Sequence, residues 1–125
     1  MQMVYLATSD GTRAFVRPMT LIYHQKEFFI ATGSADAKFK QIKAKPDCQF
    51  CLTIKDDKAS GYIRGSFFTE IIEAVEIKKE VADNFPFIKQ FWQDPADPGY
   101  ALLKLHVSEF EYLPIGEMLA EKFKF

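Results

Sequence analysis

The stretch Phe28 to Ile42, FFIATGSADAKFKQI, changes character halfway along. Phe28-Phe29-Ile30-Ala31 is a continuous apolar run that reads as a strand, and Thr32-Gly33-Ser34-Ala35 is a loop of small residues. From about Asp36 to Lys45 the spacing is helical, with Ala35, Phe39 and Ile42 on one face and Lys38, Gln41 and Lys45 on another. Pro46-Asp47 stops that helix. A strand that opens through Gly and Ser into a helix start is how a chain builds an anion site, because the first helical N–H groups have no partner within the helix. Asp36 stands in the middle of it. If a phosphate sits here, Asp36 carries the wrong charge; if none does, Asp36 is a good helix cap.

Upstream, Val4 to Thr8 reads as a strand, Asp10-Gly11 as a hairpin turn, and Arg13 to Tyr23 as a second strand. Glu27 to Ala31 is a third, joined to the second at His24-Gln25-Lys26. Downstream, Cys48 to Lys55 and Ala59 to Glu70 make another hairpin across Asp56-Asp57-Lys58. Ala74 to Trp92 is mostly helical with a break at Asn84-Phe85-Pro86, and Asp94 to Gly99 is a rigid loop. Tyr100 to Val107 is the last long strand, continuing to Tyr112. Over about residues 115–125, Ile115, Met118, Leu119 and Phe123 fall on one helical stripe, which predicts an amphipathic C-terminal tail. The order predicts a mainly β protein with a few helices and an antiparallel sheet, not a βαβ repeat. With six or so long strands, closure into a barrel removes the exposed edges.

The 125 residues, with no repeat or linker, fit one domain over 1–125. A net charge of −1 argues against nucleic acid or an anionic membrane surface as the main partner. No run approaches transmembrane length and the first residues lack the pattern of a signal peptide, so the expected location is cytoplasmic. Thirteen Phe, five Tyr and one Trp read either as an aromatic core or as more flat apolar surface than a small β-rich domain hides, which suggests a homodimer face or an aromatic-lined pocket. Cys48 and Cys51 are three apart on a strand and point to opposite faces, so they read as free thiols rather than a metal or redox pair. His24 and His106 sit in no metal spacing.

Arg13, Phe15, Arg17, Met19 and Leu21 alternate along one face of the second strand; solvent exposure at a strand end suits Arg13 well and Arg17, deeper in the run, less well. Next to it Pro18 cannot donate a ladder hydrogen bond, so the sheet there is edge-like or bulged and leaves main-chain groups of Met19 and Thr20 free. Such an edge would read the rim of a flat heteroaromatic ring. Thr32, Gly33 and Ser34 offer hydroxyls and N–H groups to an anion, with Lys38 in the first helical turn and Arg17 on the neighbouring strand as cations.

LATSDGTRAFVRPMTLIY (Leu6–Tyr23) followed by FFIATGSADAKFKQI resembles the pyridoxamine 5′-phosphate oxidase-like superfamily of split β-barrels, as do the later GYIRG and DPADPGYALLKL. The match runs from about Val4 to Tyr112. The resemblance implies a six-stranded antiparallel split β-barrel and a homodimer with FMN in the clefts between subunits. By motif, Arg17 would contact the FMN phosphate or ribityl chain. Pro18, Met19 and Thr20 would border the isoalloxazine ring, Thr32, Gly33, Ser34 and Lys38 would surround the phosphate, and Trp92 would reach the partner's flavin or serve as a core or interface aromatic.

The implied function is a flavoprotein oxidoreductase acting on a small molecule. The alternatives are flavin storage or sensing without turnover, a split barrel using haem or a deazaflavin, and a barrel that works without a cofactor. Three departures stand out. Asp36-Ala37-Lys38 replaces the usual Ser or Arg-Lys group at the helix start, which weakens FMN binding by about tenfold or more unless Asp36 turns away as a cap or Ser34 supplies the hydroxyl. The usual N-terminal helix has no counterpart before the first strand. The C-terminal Arg- and Trp-bearing segment of true pyridoxamine 5′-phosphate oxidases is missing too, which sets vitamin B6 synthesis aside.

Overall fold

A computed structural model describes all residues, Met1–Phe125. In chain order it contains β1 (Gln2–Ser9), β2 (Ala14–His24), β3 (Glu27–Gly33), α1 (Ala37–Ala44), β4 (Asp47–Lys55), β5 (Ser60–Ile72), α2 (Val75–Asn84), a 3-10 helix (Pro86–Gln90), β6 (Tyr100–Leu113) and β7 (Glu121–Lys124). Every neighbouring pair is antiparallel, in the order β3-β2-β1-β4-β5-β6-β7, and β3 pairs back onto β6. The result is a closed six-stranded barrel with β7 paired to the second half of β6, on the edge that β3 leaves free. No helix is long and apolar enough to cross a membrane.

The turns follow from local chemistry. Asp10 Oδ1 accepts the N–H groups of Thr12 and Arg13, both at 2.8 Å, beside Gly11 at φ 94°. Asp56 Oδ1 does the same for Lys58 and Ala59. Gln25 and Lys26 both take positive φ, 50° and 67°, which gives the two-residue turn that suits the strand twist between β2 and β3. Pro86 begins the 3-10 helix and breaks it from α2, where the sequence pattern placed the break.

Strand alternation sends two sets of side chains to two cores. Val4, Leu6, Leu21, Ile30, Phe50, Phe67, Leu103 and Leu105 fill the barrel, and Phe39 and Ile42 of α1 cap it. On the outside, Ile22, Phe29, Ile72, Tyr100 and Leu102 pack under Val81, Ala82 and Ile88 of α2 and the 3-10 helix. Gly65 is required inside the barrel: a Cβ there would lie 2.5 Å from the Phe50 ring.

The pairing of β2 decides where a ligand can enter. β2 pairs with β1 along Ala14–Leu21 but with β3 only over Ile22–His24. Beyond that point β3 stays with β6, as far as Gly33 opposite Tyr100. The two strands part, and the free edge of β2 carries Pro18.

The tail differs from the helical stripe expected. Met118 and Leu119 are 94% and 85% exposed, and Glu121–Lys124 form β7 against Glu109–Tyr112 of β6. β3 covers only Tyr100–Leu105 on that edge of β6, so its second half is an open template for a strand. A short tail behind Gly116, at φ 81°, gains more from that ladder than from nucleating a helix alone. Phe123 then faces Phe110, and Phe125 meets the Phe110 ring edge-on at 5.5 Å.

Candidate functional site

A cleft of about 650 Å³ opens where β2 and β3 separate. One wall is the free edge of β2, Pro18, Met19 and Thr20, with Met3 beside it because β1 pairs Met3 with Thr20. The opposite wall is Ala31, Thr32 and Gly33 of β3, followed by Asp36 and Lys38 at the head of α1. Phe87, Phe91 and Trp92, on and just after the 3-10 helix, form the third side. The Trp92 ring stacks on Tyr100 at 5.4 Å and 18°. Tyr100 is fixed in turn: its hydroxyl donates to Lys78 O at 3.1 Å, and burial pushes its pKa up to about 12. An aromatic wall on one side and an open main-chain edge on another suit a planar aromatic ligand.

The other end of the cleft is polar, and it is arranged differently from a simple phosphate loop. Asp36 occupies the cap position of α1, but its side chain makes no capping hydrogen bond. Instead Lys38 Nζ donates to Asp36 Oδ2 at 2.8 Å, and Thr32 Oγ1 donates to the same oxygen at 3.2 Å. The bonded Lys38 ammonium, helped by Thr32, holds the carboxyl below the usual carboxylate range. A Cβ built on Gly33 would lie 3.3 Å from the Asp36 carboxylate, so that carboxylate rests directly on the glycine.

Of the nine residues singled out in the sequence, Pro18, Met19, Thr20, Thr32, Gly33, Lys38 and Trp92 meet in this cleft, whereas Arg17 and Ser34 do not. Arg17 points into the barrel end, donating to Thr8 Oγ1 at 2.9 Å and to Gln41 Oε1 at 3.0 Å. Thr8 also donates to Gln41, at 2.7 Å, so the three side chains tie β1 and β2 to α1. Ser34 Oγ donates to Pro98 O at 2.8 Å, and its N–H to Gly99 O at 2.9 Å. Sequence reasoning did not single out Met3, Ala31, Phe87 or Phe91 for this site. The spacing of Phe87 and Phe91, four apart beside Trp92, was a legible signal for an aromatic wall. Met3 enters through cross-strand register, which the sequence does not display.

Away from the cleft, Cys48 is buried in the barrel, and burial pushes its thiol up to about 11. Cys51 lies on the outer face between Tyr5 and Arg64.

A closed barrel whose neighbouring strands part around a cleft is the split-barrel fold of pyridoxamine 5′-phosphate oxidase-like proteins. Solved structures of that class superimpose on nearly the whole chain. A NimC/NimA family protein of Clostridium acetobutylicum matches at TM-score 0.82 and 21% identity, over 98% of this chain and 83% of its own. A protein of the same organism related to general stress protein 26, of the pyridoxinephosphate oxidase family, matches at TM-score 0.78 and 16% identity, over 100% and 87%. A haem-binding protein of Mycobacterium smegmatis matches at TM-score 0.80 and 11% identity, over 99% of this chain but 53% of that one. No protein-family model and no curated protein matches the sequence. Identities this low establish the fold alone.

Proposed function

We propose that the cleft holds a flavin and that the protein is a flavin-dependent oxidoreductase acting on a small molecule, working as a homodimer. The observation that supports this reading is the convergence of the Pro18–Thr20 edge, the Ala31–Gly33 strand end and the Phe87, Phe91 and Trp92 side chains on one cleft. A bound flavin supplies the electron-transfer chemistry itself, which accords with a cleft that brings no acid–base pair or nucleophile beyond the paired Asp36 and Lys38. The chain's own part is to receive the ring edge on the β2 main chain, to exclude water with the aromatic side and to orient the tail at Thr32 and Asp36.

FMN, the flavin implied by the resemblance, fits unevenly. The walls suit its ring. The phosphate end is poorly served, because Lys38 is already paired with Asp36 and Arg17 is turned inward. Haem, which a split-barrel neighbour binds, has less support. A histidine axial ligand is not at hand, since neither histidine lines the cleft: His24 lies 3.4 Å from Glu80, and His106 is bonded to Glu70 and stacked on Phe68, which leaves the Met3 and Met19 thioethers as the ligating groups there.

The homodimer rests on the outer face of the barrel beside the cleft. Met3, Tyr5 and Val16, at 50%, 44% and 70% exposure, form an apolar patch with Pro18 across the β1–β2 ladder. A second copy seated there would extend the cleft wall that Met3 and Pro18 begin. A cytoplasmic location accords with the redox role.

The direct test is the visible absorption spectrum of the purified protein, before and after excess flavin and dialysis. A retained flavin band that quenches Trp92, the only tryptophan, is the expected result. Colourless protein with unchanged tryptophan emission would end the flavin reading, and a Soret band would replace it with haem.

A further inference from the structure

We propose that the polar end of this cleft selects a flavin with an uncharged, hydroxyl-bearing tail, riboflavin, over the phosphorylated FMN. The inference rests on the flavin reading above and concerns only what the Thr32–Lys38 segment accepts. The loop has the form of an anion site, but the protein's own carboxylate already fills it. Asp36 lies against Gly33, within 3.3 Å of where a Cβ would stand, and takes hydrogen bonds from Thr32 Oγ1 and Lys38 Nζ. Asp36 and Lys38 are the only charged side chains lining the cleft, so its formal charge is zero.

The other groups that could have received a phosphate are committed elsewhere. Arg17 is bonded to Thr8 and Gln41 inside the barrel end, and both the hydroxyl and the N–H of Ser34 are used on the Pro98–Gly99 turn. A dianionic phosphate entering here meets a carboxylate and has no free cation to offset it. Two such charges about 4 Å apart at a surface-like dielectric weaken binding by about tenfold or more. A ribityl hydroxyl has the opposite preference. It donates to the Asp36 carboxylate, whose side chain is half exposed, and leaves the Lys38 pair intact.

The test is a titration of the whole protein with riboflavin and with FMN, following flavin and Trp92 fluorescence at one ionic strength, for the wild type, Asp36→Ser and Asp36→Asn. Riboflavin is expected to bind the wild type about tenfold or more tighter than FMN. Either variant should raise FMN affinity by about tenfold and lower riboflavin affinity, because the carboxylate that accepts the ribityl hydroxyl is lost. Inorganic phosphate should not displace riboflavin from the wild type. FMN binding the wild type as tightly as riboflavin overturns the selectivity while the flavin reading stands. A riboflavin preference that survives in both variants, with Tm showing them folded, overturns the role given to Asp36. Failure of both flavins to bind any of the three proteins overturns the flavin reading and this inference with it.

Discussion

At the scale of single residues, Arg17 shows how a functional-looking cation is put to structural use. An arginine on an otherwise apolar strand face asks for a partner, and a ligand phosphate was the natural candidate. The fold supplies Thr8 and Gln41 instead, at 2.9 and 3.0 Å. Burial lowers the guanidinium pKa from its ordinary value, and an arginine keeps its proton in proteins, so its two acceptors matter. Arg17→Ala should therefore cost about 1–3 kcal/mol of stability, read by denaturant unfolding, since a charged hydrogen-bonding group is lost and its partners are stranded. Flavin affinity of the folded variant should stay within about twofold, because the side chain does not line the cleft. Gly65 is a second residue-scale constraint. Gly65→Ala forces the Phe50 ring, packed against Phe67 and Phe110, out of its place and should cost about 1–3 kcal/mol in the same measurement.

At the scale of elements, the aromatic side of the cleft depends on how the 3-10 helix is held to α2. Asp83 near the end of α2 accepts from Lys79 at 2.7 Å and from Lys89 at 2.6 Å, bridging the two helices. Those two ammonium groups pull the Asp83 carboxyl down to about 2. A carboxyl whose folded pKa is depressed stabilises the fold fully above its unfolded pKa of about 4, and that contribution is lost as pH falls from about 4 toward 2. Acid should therefore loosen the Pro86–Trp92 wall, seen as a change in Trp92 emission over that window. In Asp83→Asn this step should be reduced, and at neutral pH the variant's Tm should lie slightly below wild type, since the bridge is exposed. An unchanged acid transition in the variant would assign the effect to other depressed carboxyls such as Asp36 and Glu111.

At the scale of the whole molecule, the barrel leaves apolar surface uncovered beside the site. Met3, Tyr5 and Val16 lie on one outer face of β1 and β2, next to the cleft edge that Met3 and Pro18 form. If a second copy covers this face, Val16→Glu should convert the dimer to a folded monomer in sedimentation equilibrium, and flavin should bind that monomer more weakly. A monomeric wild type would remove the homodimer from the proposal and leave the cleft to one chain. Val16 is 70% exposed in the chain, so the substitution should not disturb the barrel core.

The sequence by itself determined the strand-and-helix order, because alternation, the Asp-Gly and Asp-Asp-Lys turns and the Pro46 and Pro86 stops are local signals. It also placed most of the cleft residues, since a proline edge and a small-residue strand end are legible without a partner. Tertiary structure decided what local spacing cannot. The tail became β7 because β6 left an edge free, although its own apolar spacing favoured a helix. Gln41 drew Arg17 inward, a contact between residues 24 apart whose partnership no periodicity encodes. Asp36 was ambiguous between cap and charge conflict until the fold set it on Gly33 between Thr32 and Lys38. Side-chain partners across a barrel depend on register and closure, and those arise only when the strands meet.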